Sequence, residues 1–165
     1  MKFKEAVTYE DMLLVPQYSD ITSRREVDIS SNLGASEFAL PIIASPMDTV
    51  SEAPMALEMS HAGGLAVLHR YNTIHEQQQM AQEVVHHTDR SSRVAAAIGV
   101  TGDFLERAEA LVTVGVDILC VDVAHGHHSL MKEGLTTLRE AFGSHVYIIA
   151  GNVCTFEGIN DLADW

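Results

Sequence analysis

A short run of consecutive apolar residues, a polar loop and a segment of helical spacing follow one another along this chain, and the set recurs at intervals of roughly two dozen residues. The apolar runs are Leu40-Pro41-Ile42-Ile43-Ala44, Leu65-Ala66-Val67-Leu68, Val94-Ala95-Ala96-Ala97-Ile98, Ile118-Leu119-Cys120-Val121 and Val146-Tyr147-Ile148-Ile149-Ala150. Strands with one wet face alternate apolar and polar positions. These do not, so both faces are expected to be buried, as in a parallel sheet with a covered outside.

The segments between the runs change to a helical period. Ser51 is placed to cap a helix carrying Ala53, Met55, Ala56, Met59 and Ala62, stopped by Gly63-Gly64, the C-terminal glycine signal. Thr73 and Glu76 fit a capping box ahead of a stripe of Ile74, Ala81, Val84 and Val85. A third helix starts at Asp103, with Glu106 three residues on, shows Leu105, Ala108, Leu111 and Val112, and stops at Gly115. The fourth carries Leu130, Leu135, Leu138 and Phe142 before Gly143, and a fifth starts near Thr155 with Ile159 and Leu162 on one side.

Strand-loop-helix units joined this tightly imply right-handed parallel crossovers, which leaves an open doubly wound sheet or a (β/α) barrel. Ser45-Pro46-Met47-Asp48-Thr49 holds no glycine where a pyrophosphate would meet the backbone, and this counts against the doubly wound dinucleotide fold. A closed barrel of eight units takes about 250 residues. Five strands and part of a fifth helix in 165 residues fall short of that, so if this α/β chain is a barrel, it is an incomplete (β/α)8 TIM barrel.

Composition narrows the partners. The chain is 47% hydrophobic, ordinary for a globular protein and too apolar for a disordered tail. Ten Lys and Arg against 23 Asp and Glu give a formal charge of −13, which repels nucleic acid. No apolar run approaches the roughly 18 residues that span a bilayer. The start Met1-Lys2-Phe3-Lys4-Glu5-Ala6 sets an acid where a secretion signal has its apolar stretch. A cytoplasmic location without a membrane partner is expected. Cys120 and Cys154 are the only cysteines; they are too few for a disulfide framework, lack zinc spacing, and read as small buried hydrophobes.

In a barrel the polar residues just past each strand line one common face. Those positions hold Ser45, Met47 and Asp48, then His69 and Arg70, then Gly99, then Asp122 and Ala124-His125-Gly126-His127-His128, then Gly151-Asn152. Asp122 reads either as a carboxylate capping local N–H groups or as a ligand-contacting acid, and Arg70 either as a surface cation or as a site residue. The His125, His127 and His128 loop has no carboxylate or cysteine partner at matching spacing, so no metal is expected.

Five stretches then stand out together: Thr8-Tyr9-Glu10-Asp11-Met12-Leu13-Leu14-Val15-Pro16, Ser45-Pro46-Met47-Asp48-Thr49-Val50, Gly63-Gly64 followed by His69-Arg70, Asp122-Val123-Ala124-His125-Gly126-His127, and Gly151-Asn152-Val153. In this order and at these spacings the chain, from about Thr8 to its last residue, resembles the IMP dehydrogenase/GMP reductase family. The resemblance implies that residues 1–165 are the N-terminal portion of a single (β/α)8 TIM-barrel domain performing redox chemistry at C2 of a purine nucleotide, GMP or IMP, with NADP or NAD as cofactor. It places Ser45 near the nucleotide phosphate, Met47 against the purine, and Arg70 on the nucleotide side, where a guanidinium suits holding an anion or orienting a base better than shuttling a proton. Asp122, with Val123 and Ala124, would meet the nicotinamide ribose, and Asn152 would hold the same region.

Within the family, dehydrogenases usually carry a pair of CBS modules between the second helix and the third strand. Here Val85-His86-His87-Thr88-Asp89-Arg90-Ser91-Ser92-Arg93 crosses that gap directly, so no CBS domain is expected. Asp122-Val123-Ala124 also looks more like a reductase, whereas Ser45 to Val50 reads at least as well as a dehydrogenase. The resemblance therefore favours NADPH-dependent reductive deamination of GMP to IMP, with NAD-dependent oxidation of IMP to XMP as the alternative. The family's nucleophile is a cysteine on the loop after the sixth strand, in a Gly-rich stretch, and neither Cys120 nor Cys154 matches that position. The expectation is a fragment, one piece of a split enzyme, or a chain completed by a C-terminal polypeptide or by self-association, in a family of homo-oligomers. A non-catalytic half-barrel that binds or assembles is the reading from another class, because unpaired strand edges invite association.

Overall fold

The computed structural model describes residues 5–89 and 92–165. Short 3-10 turns at Tyr9–Asp11 and Arg24–Glu26 precede a hairpin of β1 (Ser31–Leu33) and β2 (Ser36–Phe38). Then follow β3 (Ile43–Ala44), α1 (Ala53–His61), β4 (Leu65–Leu68), α2 (Ile74–His87), β5 (Ala95–Ile98), α3 (Phe104–Thr113), β6 (Ile118–Asp122), α4 (Ser129–Phe142), β7 (Tyr147–Gly151) and α5 (Phe156–Asp164). The five later strands form one parallel sheet in the order β3-β4-β5-β6-β7. Sequential order with a helix in every crossover curls the sheet into a half-barrel, the incomplete TIM barrel expected from the apolar runs. Of the segments read above, Met1 to Lys4 of the chain start and Arg90-Ser91 of the link before β5 lie outside the described residues.

The helix signals act largely as written. Thr73 and Glu76 form a reciprocal capping box on α2, and Thr155 caps α5 by accepting from Gly158 N–H. Gly63, after α1, has φ +78°, and a Cβ there would lie 2.9 Å from Ala39 Cβ, so only glycine fits that stop.

Three local readings need correction. Ser51 does not cap α1: Glu52 occupies the N-cap position, while the Ser51 hydroxyl, fully buried, donates to the Ser45 carbonyl at 2.6 Å. Leu130 is 41% exposed; the buried stripe of α4 is Met131, Gly134, Leu135 and Leu138. Ile159, paired above with Leu162, is 56% exposed on α5.

The two sheet faces have different partners, as the non-alternating runs require. Ala66, Leu68, Ala96, Ile98, Leu119 and Val121 face the helices, against Ala81, Ala108, Leu111 and Leu138. Full burial of each leucine or isoleucine stabilises by about 1.5–3 kcal/mol. The other face groups Leu65, Val67, Ala95, Ala97 and Ile118 with Phe38, Cys120, Tyr147 and Ile149. The central residues of this inner face are buried, as the non-alternating runs predict. The hairpin explains why: Phe38 packs onto it, and Ser36 Oγ accepts from Arg93 Nε at 2.9 Å. Arg93 in turn pairs with Asp117 at 3.3 Å, at the start of β6. The hairpin thus closes the end where the strands begin and leaves the opposite end, where they finish, to the loops.

Candidate functional site

Parallel strands in sequential order bring all five C-terminal tips to one edge, and hydrogen bonds link those of β3 with β4, β4 with β6, and β6 with β7. Past β3, the Ser45 carbonyl accepts from Ser51 Oγ. The Ser51 carbonyl accepts from the His69 N–H at the end of β4, at 3.2 Å. The neighbouring Arg70 donates from Nη2 to the Asp122 carbonyl at the tip of β6, at 3.3 Å. Beyond it the backbones of the last two tips interlock: Val123 N–H donates to the Gly151 carbonyl at 3.0 Å, Asn152 N–H to the Val123 carbonyl at 2.7 Å, and Gly126 N–H to the Asn152 carbonyl at 2.7 Å.

Each residue expected at the site therefore sits on this rim. Ser45 and Met47 follow the edge strand β3, with Met47 half exposed. Asp122 pairs with Gly151 across β6 and β7. Its carboxylate accepts no hydrogen bond from the described residues, which disfavours the capping role and leaves four lone-pair sites for a ligand. Ala124 and Asn152 are exposed and Val123 is partly buried. Arg70 is no free surface cation. Its Nη1 lies against Gly99, its Cζ is 5.8 Å from the Tyr71 ring centroid, and its Nε is sealed from solvent without an acceptor among the described residues. A buried N–H without a partner costs about 1–3 kcal/mol, so the side chain is held in place by its other contacts.

Ser51, His69, Gln77 and Arg107 support the rim from beneath, and the sequence reading gave none of them that role. His69 is buried, accepts from Tyr71 N–H at 3.2 Å on Nδ1, and sets Nε2 3.4 Å from Glu52 Oε1. Gln77, fully buried on α2, donates to the Ala97 carbonyl at 2.8 Å. It accepts from Arg107 Nη1 at 2.8 Å, and Arg107 Nη2 also reaches the Asn72 carbonyl and Asp103. A glutamine at this position of an amphipathic helix, on the apolar side with Ala81 and Val84, is the signal that could have found the network.

The histidine loop is accounted for by local contacts. His128 caps α4 by accepting from Leu130 N–H, and His127 Nε2 lies 2.7 Å from Asp161 on α5. Among the described residues no three His, Cys, Asp or Glu side chains gather as a metal site would require, and no helix is long and apolar enough to cross a membrane.

The two cysteines differ. Cys120 is half-buried on the inner face, where burial first and the Asp122 charge second push its thiol up to about 11. Cys154 is exposed, which corrects the reading of it as buried: it lies in the exposed turn between Val153, which is partly buried, and Thr155, the N-cap of α5. Since only the thiolate attacks, iodoacetamide near pH 8 is expected to label Cys154 and spare Cys120 in the folded chain. Equal labelling by mass spectrometry would refute that.

Comparison with known proteins adds to this geometry. The IMP dehydrogenase / GMP reductase domain matches residues 6–165. An inosine-5'-monophosphate dehydrogenase of Nitrosopumilus maritimus is 26% identical over 98% of this chain and 60% of its own length. A GMP reductase of Mycoplasma mycoides subsp. mycoides is 27% identical over 95% and 48%, and an inosine-5'-monophosphate dehydrogenase of Cryptosporidium parvum 30% identical over 97% and 49%. The chain thus spans about half the length of the curated relatives it matches. The alignments with the two dehydrogenases run to 284 and 201 positions, more than this chain has residues, so those relatives carry stretches with no counterpart here; that with the reductase takes 159.

Proposed function

Because the chain belongs to the IMP dehydrogenase / GMP reductase family, we propose that it forms the nucleotide- and cofactor-facing part of a purine nucleotide oxidoreductase, acting as a GMP reductase that converts GMP to IMP and ammonia at the expense of NADPH. The observation that carries this reading is the hydrogen-bonded rim joining Ser45, Arg70, Asp122 and Asn152. Ser45 offers a hydroxyl to the nucleotide phosphate, Met47 a polarizable apolar surface to the purine, and Arg70 a fixed cation to the same ligand.

The unpartnered carboxylate of Asp122 fits a nicotinamide ribose, whose paired hydroxyls are donors it can accept from, and Val123, Ala124 and Asn152 complete that wall. When bound there, the dinucleotide supplies a hydride for C2 of the purine. Rigid strand tips set both ligands at a fixed separation, the main contribution such residues make to catalysis. The thiol nucleophile belongs to a region beyond these matched positions, as do the remaining barrel strands. The exposed apolar side chains of Tyr9, Leu13, Leu14 and Tyr18, each more than nine-tenths exposed, support association with that region or with further copies in a homo-oligomer.

The short alignment with a GMP reductase favours the reductase branch without CBS modules. The Ser45 to Val50 stretch, together with the likeness to two dehydrogenases, favours NAD-dependent IMP oxidation as the second reading. A non-catalytic half-barrel that binds or assembles is the third reading, which the exposed apolar side chains at Tyr9, Leu13, Leu14 and Tyr18 support. The test supplies the chain with a complementary C-terminal polypeptide and follows nicotinamide absorbance. NADPH consumption with GMP and release of ammonia is the expected result. NAD reduction with IMP would instead select the dehydrogenase, and nucleotide binding without turnover in either mixture would select the binding module.

A further inference from the structure

We propose that Arg70 is a positioning residue for Asp122, bracing the acid on the cofactor side of the rim from the nucleotide side; this rests on the assignment of Asp122 to the dinucleotide made above. Asp122 ends β6 between two neighbours of different kinds. On the β7 side its strand is fixed by backbone, through Gly151 paired opposite it and the Val123 N–H on the Gly151 carbonyl. On the β5 side the facing tip is Gly99, just past the strand end, with no side chain to make a contact. Arg70 fills that gap: it crosses from the end of β4 over Gly99 and donates to the Asp122 carbonyl.

Gly99 runs alongside the guanidinium: a Cβ there would meet Arg70 Nη1 at 3.4 Å, an ordinary contact. The Tyr71 ring lies near the same guanidinium, and the sealed, unpartnered Nε shows that this path is kept although one N–H goes unsatisfied. A planar fork held on several sides is stiff, whereas a lysine at position 70 would bring one mobile ammonium on a flexible stem. The same side chain thereby couples the two ligands: a nucleotide anion that draws on Arg70 acts on a group whose other end holds the Asp122 tip.

The test uses the 165-residue chain with Arg70→Met and Arg70→Lys. The first reading is the amide-nitrogen chemical shift of Val123, which follows hydrogen bonding to the carbonyl before it; the second is titration with NADPH, NAD and GMP separately. In Arg70→Met the Val123 resonance is expected to move and the affinity for whichever dinucleotide the unchanged chain binds to fall roughly tenfold, the scale of a lost placement. The melting temperature and the rest of the amide spectrum should stay in place. Arg70→Lys is expected to recover the dinucleotide affinity only in part, and it replaces the methionine variant should that one unfold.

A Val123 resonance that stays put in both variants overturns the brace. So does weakened GMP binding with dinucleotide affinity intact, which would make Arg70 a nucleotide contact alone. An unchanged chain that binds neither dinucleotide removes the assignment of Asp122 instead, while the Val123 shift still reports whether the brace exists.

Discussion

Gly126→Ala is expected to destabilise the chain by about 2–4 kcal/mol, an overpacking cost joined by a lost hydrogen bond, and to lower the melting temperature by roughly 5–15 °C. A Cβ at this position would meet the Asn152 carbonyl oxygen at 2.9 Å, the Gly151 carbonyl carbon at 3.0 Å and the Asn152 nitrogen at 3.1 Å. All three are backbone atoms, so no rotamer change relieves the contact. They are also pinned from behind by the bonds between Val123 and the Gly151-Asn152 turn. The strain must open the joint between the β6 and β7 loops, the joint that sets Asp122 beside Asn152. Gly151→Ala is the matched control: no heavy atom lies within 4 Å of a Cβ there, so its effect should stay within about 0.5 kcal/mol. Thermal unfolding of the two variants side by side decides the matter, and coincident curves would show that the loops are not locked as described.

The contrast between these two glycines shows what could be read from residues alone. The sequence placed both just past strands, because the apolar runs of four or five residues fix strand position with little ambiguity. Strand tips carrying Ser45, Arg70, Asp122 and Asn152 follow from that count alone. Which glycine is required does not, since the requirement arises from two backbones meeting across a gap of some 26 residues. Ser51 fails for a related reason: a serine ahead of a helix is a good cap, but the Ser45 carbonyl offered its hydroxyl a buried acceptor, and the tertiary bond won.

The hairpin escaped notice because Ser31–Leu33 and Ser36–Phe38 are three residues each and largely polar. Only the turn at Gly34, with φ +62°, hints at it. Its place is set by Phe38 on the inner face and by Arg93 on Ser36, contacts between segments far apart in the chain. Arg70 is the sharpest case. The sequence gives a cation after a strand and says nothing of where a long side chain lies; its acceptor is the main chain of Asp122, 52 positions away.

The largest stability loss is expected at a residue that never reaches the rim. Arg107 is buried on α3 and holds four acceptors: Gln77 Oε1, both oxygens of Asn72, and the Asp103 carboxylate. Arg107→Met keeps much of the stem's packing and removes every donor, leaving the fully buried Gln77 oxygen without its 2.8 Å partner. Breaking a buried charged network from one side costs about 3–5 kcal/mol. Asp103→Asn removes only the acid, which is half exposed and can be replaced by water, and should cost no more than about 1 kcal/mol. Urea unfolding of the pair therefore separates a buried hub from an ordinary surface ion pair; equal midpoints would mean that Asp103, and not Gln77 with Asn72, carries the interaction. Because Asn72 lies two residues beyond Arg70, the methionine variant should also speed amide exchange in residues 70–73 before the helices open. Loosened there, the guanidinium loses the fixed base from which it reaches Asp122, so a substitution on the outer helix layer is expected to weaken ligand binding at the strand tips it does not touch.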